Sequence, residues 1–189
     1  MDPVFTLPYS ELAVAELLSK HFKTRHGYSI FVPVSRTEKG IDLLLSRRSE
    51  SRLSSVTFQV KASRTYLGDA VVTKSGKRKF RYSTWFKRFD VPQQADFVVL
   101  FGTYAPEPSR RKHVSPGWWR SLVLVFSQIE MHNFMAGVMT KSGKPDKMFG
   151  FGFDHEGEAF LTRGEQAREP RDLSAHLFSR KVDEIKTAL

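Results

Sequence analysis

Residues 40–62 read GIDLLLSRRSESRLSSVTFQVKA, from Gly40 to Ala62, and two apolar runs parted by a polar stretch decide the expected fold. Ile41 to Ser46 and Val56 to Ala62 are rich in bulky and β-branched residues, the composition of strands. Arg47 to Ser55 is rich in serine and arginine, so it is expected to return the chain as a hairpin. Pairing Ser46 with Ser55 then brings Asp42 opposite Gln59, at the roughly 5 Å separation of cross-strand neighbours. Side chains alternate along a strand, so Gln59 and Lys61 share one face while Phe58 and Val60 take the other. An acid, an amide oxygen and an ammonium converge in otherwise apolar strands. Such groups are costly there without partners, and a bound cation is a natural partner.

The flanking chain supplies the rest of a core. Tyr9 to Phe22 has Leu12, Ala15, Leu18 and Phe22 at helical spacing, with Thr6 or Ser10 as cap and Gly27 as stop. Glu11 falls on the face of Ala15 and Leu18 and is expected to point partly inward; Glu16, four residues before Lys20, reads as one side of an exposed ion pair. Tyr28 to Val34 reads as a strand. Beyond the hairpin come a basic loop turning at Gly76, a short aromatic helix from Ser83 or Thr84 to Phe89, and a buried strand from Ala95 to Gly102. Trp118 and Trp119 read as core, and Leu122 to Phe126 as a strand. Ser127 and Glu130 fit a capping box opening a helix. Met148 to Asp154 alternates phenylalanine with small residues, as a strand with one buried face does, and Asp154 to Glu158 reads as an acidic hairpin turn. A last helix is expected from near Asp172, with Phe178, Val182, Ile185 and Leu189 on one stripe. No repeat and no long linker interrupts this order. The expectation is one α/β domain over residues 1–189, with a mixed sheet flanked by helices.

Composition narrows the function. The chain has 189 residues, 40% of them hydrophobic, enough for a packed core, and no cysteine, which excludes disulfides, Cys-ligated zinc and thiol catalysis. No apolar run is long enough to cross a bilayer, and Glu11 and Glu16 interrupt the first one, so neither membrane association nor a signal peptide is expected and the location reads as cytoplasmic. Lys and Arg number 30 against 20 Asp and Glu, a formal charge of +10 that favours polyanionic partners. Arg64, Lys74, Lys77, Arg78, Lys79, Arg81, Lys87 and Arg88 cluster against one acid, Asp69, and interleave with Tyr66, Phe80, Tyr82, Trp85 and Phe86. Phosphates need cations and unstacked bases need ring faces, so this segment reads as a nucleic-acid contact, joined by Arg110, Arg111 and Lys112.

The chemistry this set permits is metal-assisted phosphodiester hydrolysis. Mg2+ or Mn2+ takes hard oxygen ligands, which Asp42, the Gln59 side chain and the Val60 carbonyl supply, with Glu11 holding a metal water or a second ion. Lys61 is placed to orient an attacking water or to neutralise charge growing on the phosphate. The order Glu11, Gly40-Ile41-Asp42, Gln59-Val60-Lys61 resembles the PD-(D/E)XK restriction-endonuclease-like nucleases. Ile41 stands at the name-giving proline and Gln59 at an acidic ligand; the Q-x-K form is similar to Holliday-junction-resolvase-like and methylation-dependent restriction-type members. The resemblance implies an α-β-β-β-α-β core over about residues 1–102, with residues 103–189 a family-specific elaboration of strands and a helix. It further implies Asp42 and Gln59 as metal ligands, Lys61 as the catalytic lysine, Glu11 as the helix glutamate, and a Mg2+-dependent endonuclease acting on DNA in restriction or repair. Cutting both strands of a duplex is simplest for a homodimer. The alternatives are an inactive module of the same fold that binds nucleic acid or a partner protein, and an RNA-binding protein using the aromatic-basic segment.

Overall fold

A single extended strand organises the molecule. The computed structural model describes residues 9–33, 40–50, 52–68, 71–72, 78–104, 120–164 and 170–189, with backbone alone at 71–72 and 78. In chain order it contains α1 (Tyr9–His21), β1 (Tyr28–Phe31), β2 (Leu43–Arg48), β3 (Leu53–Leu67), β4 (Val71–Val72), β5 (Arg78–Lys79), β6 (Tyr82–Lys87), β7 (Phe97–Tyr104), β8 (Arg120–Ser127), α2 (Gln128–Gly137), β9 (Met148–Phe153), β10 (Phe160–Arg163), β11 (Arg171–Asp172) and α3 (Phe178–Thr187). The fold is mixed α/β: three helices and a mostly antiparallel nine-stranded sheet, with β4 and β5 as a separate ribbon.

The long strand β3 belongs to two leaves of that sheet. In the first leaf the order is β1-β2-β3-β7-β8, and β3–β7 is the one parallel pair among the described residues. In the second, β3 pairs through Thr65, Tyr66 and Leu67 with β6, and β9, β10 and β11 follow. Strand β7 is apolar without alternation because both its faces are covered. Val99 and Phe101 join Val14, Leu18, Val182 and Ile185 of α1 and α3 in one cluster. Val98 and Leu100 join Met131 and Phe134 of α2 and the phenylalanines of β9 in the other. Burying Phe149, Phe151 and Phe153, each at most 1% exposed, contributes about 1.5–3 kcal/mol apiece.

Several local expectations change. Tyr82 to Lys87 is a strand, not the expected aromatic helix: burial alternates along it, with Tyr82, Thr84 and Phe86 inward, and aromatic and β-branched residues suit a pleated surface better than a helix. Strand β9 is buried on both faces, because the rings of Trp85 and Phe80 cover Gly150 and Gly152 where a side chain would otherwise stand. The last helix begins at Phe178; before it Asp172 accepts a hydrogen bond from the Ser174 amide (2.7 Å) and starts a 3-10 turn instead. Helix α1 ends at His21, and Gly27 (φ 82°) closes the following 3-10 turn. Ser10 lies inside α1; Thr6, Gly76, Trp118 and Trp119 fall outside the described residues. The Ser127–Glu130 capping box is present, and Asp154 to Glu158 turns the chain between antiparallel β9 and β10. Among the described residues no helix is long and apolar enough to cross a membrane.

Candidate metal centre and nucleic-acid surface

The hairpin of β2 and β3 adopts the expected register, with Leu43 against Phe58 and Ser46 against Ser55. The ladder stops at Leu43. Asp42 still donates its amide to Phe58 O (2.8 Å), and its carboxylate then supplies the next rung, Oδ2 accepting from the Val60 amide at 2.6 Å. A fork in the sheet forces this. β2 leaves β3 at Phe58 and β6 joins it at Thr65, so the intervening stretch of β3 has β7 on one edge and side chains on the other. The Val60 carbonyl points to the same edge as its N–H, as both do in any strand residue. Further along, the Ser63 hydroxyl donates to Trp85 O and the Thr84 hydroxyl to Arg64 O (3.1 Å), closing the fork.

Gln59 and Lys61 share the face of β3 that looks between the leaves. Gln59 is 7% exposed, and its Oε1 is buried with no hydrogen-bond partner. Lys61 is half-buried, its Nζ 5.5 Å from the centre of the Phe89 ring, a cation–π contact. Sequence reasoning missed Phe89 as the neighbour of Lys61, because it placed Phe89 at the end of a helix. Asp42 is thus tied to the backbone of β3 at Val60, between Gln59 and Lys61 in the chain.

Glu11 approaches differently. Helix α1 packs on the face that carries Phe58 and Val60, so half-buried Glu11 lies across the sheet from Gln59 and Lys61, and the structure does not join it to their face. Among the described residues no group of three or more His, Cys, Asp or Glu side chains is arranged to hold a metal. Any ion here relies on Asp42 together with neutral oxygens and water, a pattern Mg2+ accepts. The orphaned Gln59 oxygen fits that role: a buried acceptor without a partner costs about 1–3 kcal/mol, and a hard cation satisfies it.

The basic residues divide. Arg64, Lys79 and Lys87 are exposed. Arg88 is half-buried and donates to Val138 O (2.9 Å), so it holds the fold together instead of reaching outward as expected. Arg81 is half-buried, with its backbone amide bonded to Asp154 Oδ1 (2.7 Å). Tyr82 and Phe86, expected among base-stacking rings, are core; Tyr66 is 57% exposed. Lys74, Lys77, Arg110, Arg111 and Lys112, and the side chain of Arg78, lie outside the described residues.

The chain matches no protein-family model, no curated protein and no solved structure.

Proposed function

We propose that the chain is a divalent-metal-dependent endonuclease acting on DNA, built on a restriction-endonuclease-like core. The order α1, β1-β2-β3 meander, then β7 parallel to β3 supports that core, with strands in place of its second helix. Asp42, the Gln59 side chain and the Val60 carbonyl would hold Mg2+ or Mn2+, with Glu11, on the opposite face of β3, outside that set. When bound, such an ion supplies Lewis-acid stabilisation of the phosphate being cleaved. Lys61 supplies a fixed positive charge beside it, and exposed Arg64 and Lys87 attract the backbone.

The observation that carries this reading is the buried, unpartnered Gln59 Oε1 on the residue before Val60, whose amide pins the Asp42 carboxylate. The test is nicking of supercoiled plasmid. Expected are cleavage with Mg2+ or Mn2+, none with chelator, and a loss of about 100-fold or more in Lys61→Ala, the scale of removing one transition-state charge partner. Plasmid binding without cleavage by the unmodified protein in either ion overturns the enzyme and leaves a binding module.

A further inference from the structure

The outer face of the second leaf carries, beside Arg64 and Lys87, aromatic groups that the cleavage chemistry does not use. Directly paired residues place Tyr66 and Ser83 on one face with Gly152 and Phe160, and Trp85 with Gly150 and Arg163. Their neighbours Thr65, Thr84, Phe149 and Phe151 point inward. The two glycines keep the floor flat. A Cβ at Gly152 would stand 2.3 Å from the Phe80 ring, and one at Gly150 2.7 Å from the Trp85 ring, so both rings lie directly on backbone. Phe80 is covered by Phe160 (5.2 Å between centres), and Trp85 by the Arg163 guanidinium (5.8 Å), which Asp146 holds at 3.1 Å. Among the described residues no ring or cation covers Tyr66 in this way, and it is 57% exposed.

Charge gives this face its partner. Strands β3 and β6 contain no acid, and exposed Arg64 and Lys87 stand on the same face as Tyr66 and Trp85. On this side of β3, α1 and α3 cover only the first leaf, where Phe58 and Val60 lie, and leave Arg64 and Tyr66 exposed; α2 packs in the inner cluster. A duplex offers phosphates to such a surface but keeps its bases stacked inside, leaving an exposed ring with nothing to do. An unpaired strand offers both phosphates and ring faces. We propose that this face binds single-stranded nucleic acid, with an unpaired base stacking on Tyr66 and phosphates meeting Arg64 and Lys87. Tyr66 lies about 20 Å along β3 from Val60 at the ordinary strand rise, on the side of the sheet opposite Gln59 and Lys61, so a bound strand reaches the metal centre by passing round the open edge of β3 at the fork. The consequence for cleavage, a preference for DNA with an unpaired segment, rests on the nuclease reading above; the binding itself does not.

Anisotropy with a labelled oligothymidylate and a labelled duplex, both in chelator so that nothing is cut, tests it. The expected result is tighter binding of the single strand, weakened at least about fivefold by Tyr66→Ala, retained in Tyr66→Phe, and no change for the duplex. Tyr66 is exposed, so the variant should melt with the parent protein, which a thermal scan verifies. Unaltered single-strand binding by Tyr66→Ala, or equal losses for both nucleic acids, overturns the proposal. Either outcome leaves the plasmid result standing on its own.

Discussion

Among the described residues, Gln59 Oε1 and, further along β3, Thr65 Oγ1 are buried side-chain oxygens that nothing answers, and of the two Gln59 is the one beside the Asp42–Val60 bond. Asp42 is fixed by the Val60 amide; Thr57, on the same side of β3, donates its hydroxyl to Gln94 O (2.6 Å) and accepts the Asp96 amide (3.1 Å). An amide brings oxygen without charge, so its affinity for a divalent ion is weaker than that of a carboxylate. Gln59→Glu is therefore expected to lower thermal stability in chelator, since it buries a second acid beside Asp42, and to regain it as Mg2+ is added. Calorimetric titration should show tighter Mg2+ binding than in the parent protein. Identical titrations would remove Gln59 from the ligand set.

At the level of elements, the glycines of β9 decide how the second leaf packs. Phe80 is pinned between Gly152 and Phe160, so a methyl at Gly152 must displace it, and Gly152→Ala is expected to cost about 1–3 kcal/mol in urea unfolding. In a Phe80→Ala background the same change should cost much less; additive losses would mean the ring is not the obstacle. These glycines mark the limit of what sequence could reveal. The β2–β3 register followed from loop symmetry, and the Ser127 cap from a local motif, because both depend on neighbours along the chain. That Phe149, Phe151 and Phe153 lie on one face was also legible in their alternation. The cover over the opposite face was not, since Trp85 and Phe80 arrive through β6, a strand that reads as a helix. The site divided in the same way: the register that carries Asp42 to the level of Val60, and the shared face of Gln59 and Lys61, followed from loop symmetry and strand parity, whereas Phe89 beside Lys61 and the separation of Glu11 depend on tertiary packing.

For the molecule as a whole, the two helices nearest the carboxyl end are joined by a buried ionic cluster. Lys181, 6% exposed, donates to Glu130 Oε1 and Oε2 (2.6 and 2.8 Å) and to Glu184 Oε2 (2.5 Å), while His176 stacks on Phe126 at 4.0 Å and lies 3.9 Å from Glu130. Burial lowers the His176 pKa, so below about pH 6.5 the unfolded chain takes up a proton that the folded chain resists, and stability falls. Burial alone would raise Glu130, but hydrogen bonds from Lys181 and the Ser127 amide outweigh it and hold the carboxyl below its ordinary value. Its contribution is present above about pH 4.5 and lost as pH drops through the folded value. Burial also opposes the Lys181 charge, yet its two carboxylate partners leave its pKa raised, so that contribution persists through neutral pH. The melting temperature is expected to decline in two acid stages, and His176→Gln to abolish the upper one while sparing the lower. An unchanged upper stage in that variant would exonerate the imidazole. One topological consequence remains. Each leaf draws an indispensable strand from the same residues, Leu53–Leu67. No single scission can yield two self-sufficient fragments with that segment intact in both, so any attempt to split or permute the chain must cut outside it, as at the hairpin tip where the Ser49 amide meets Arg52 O.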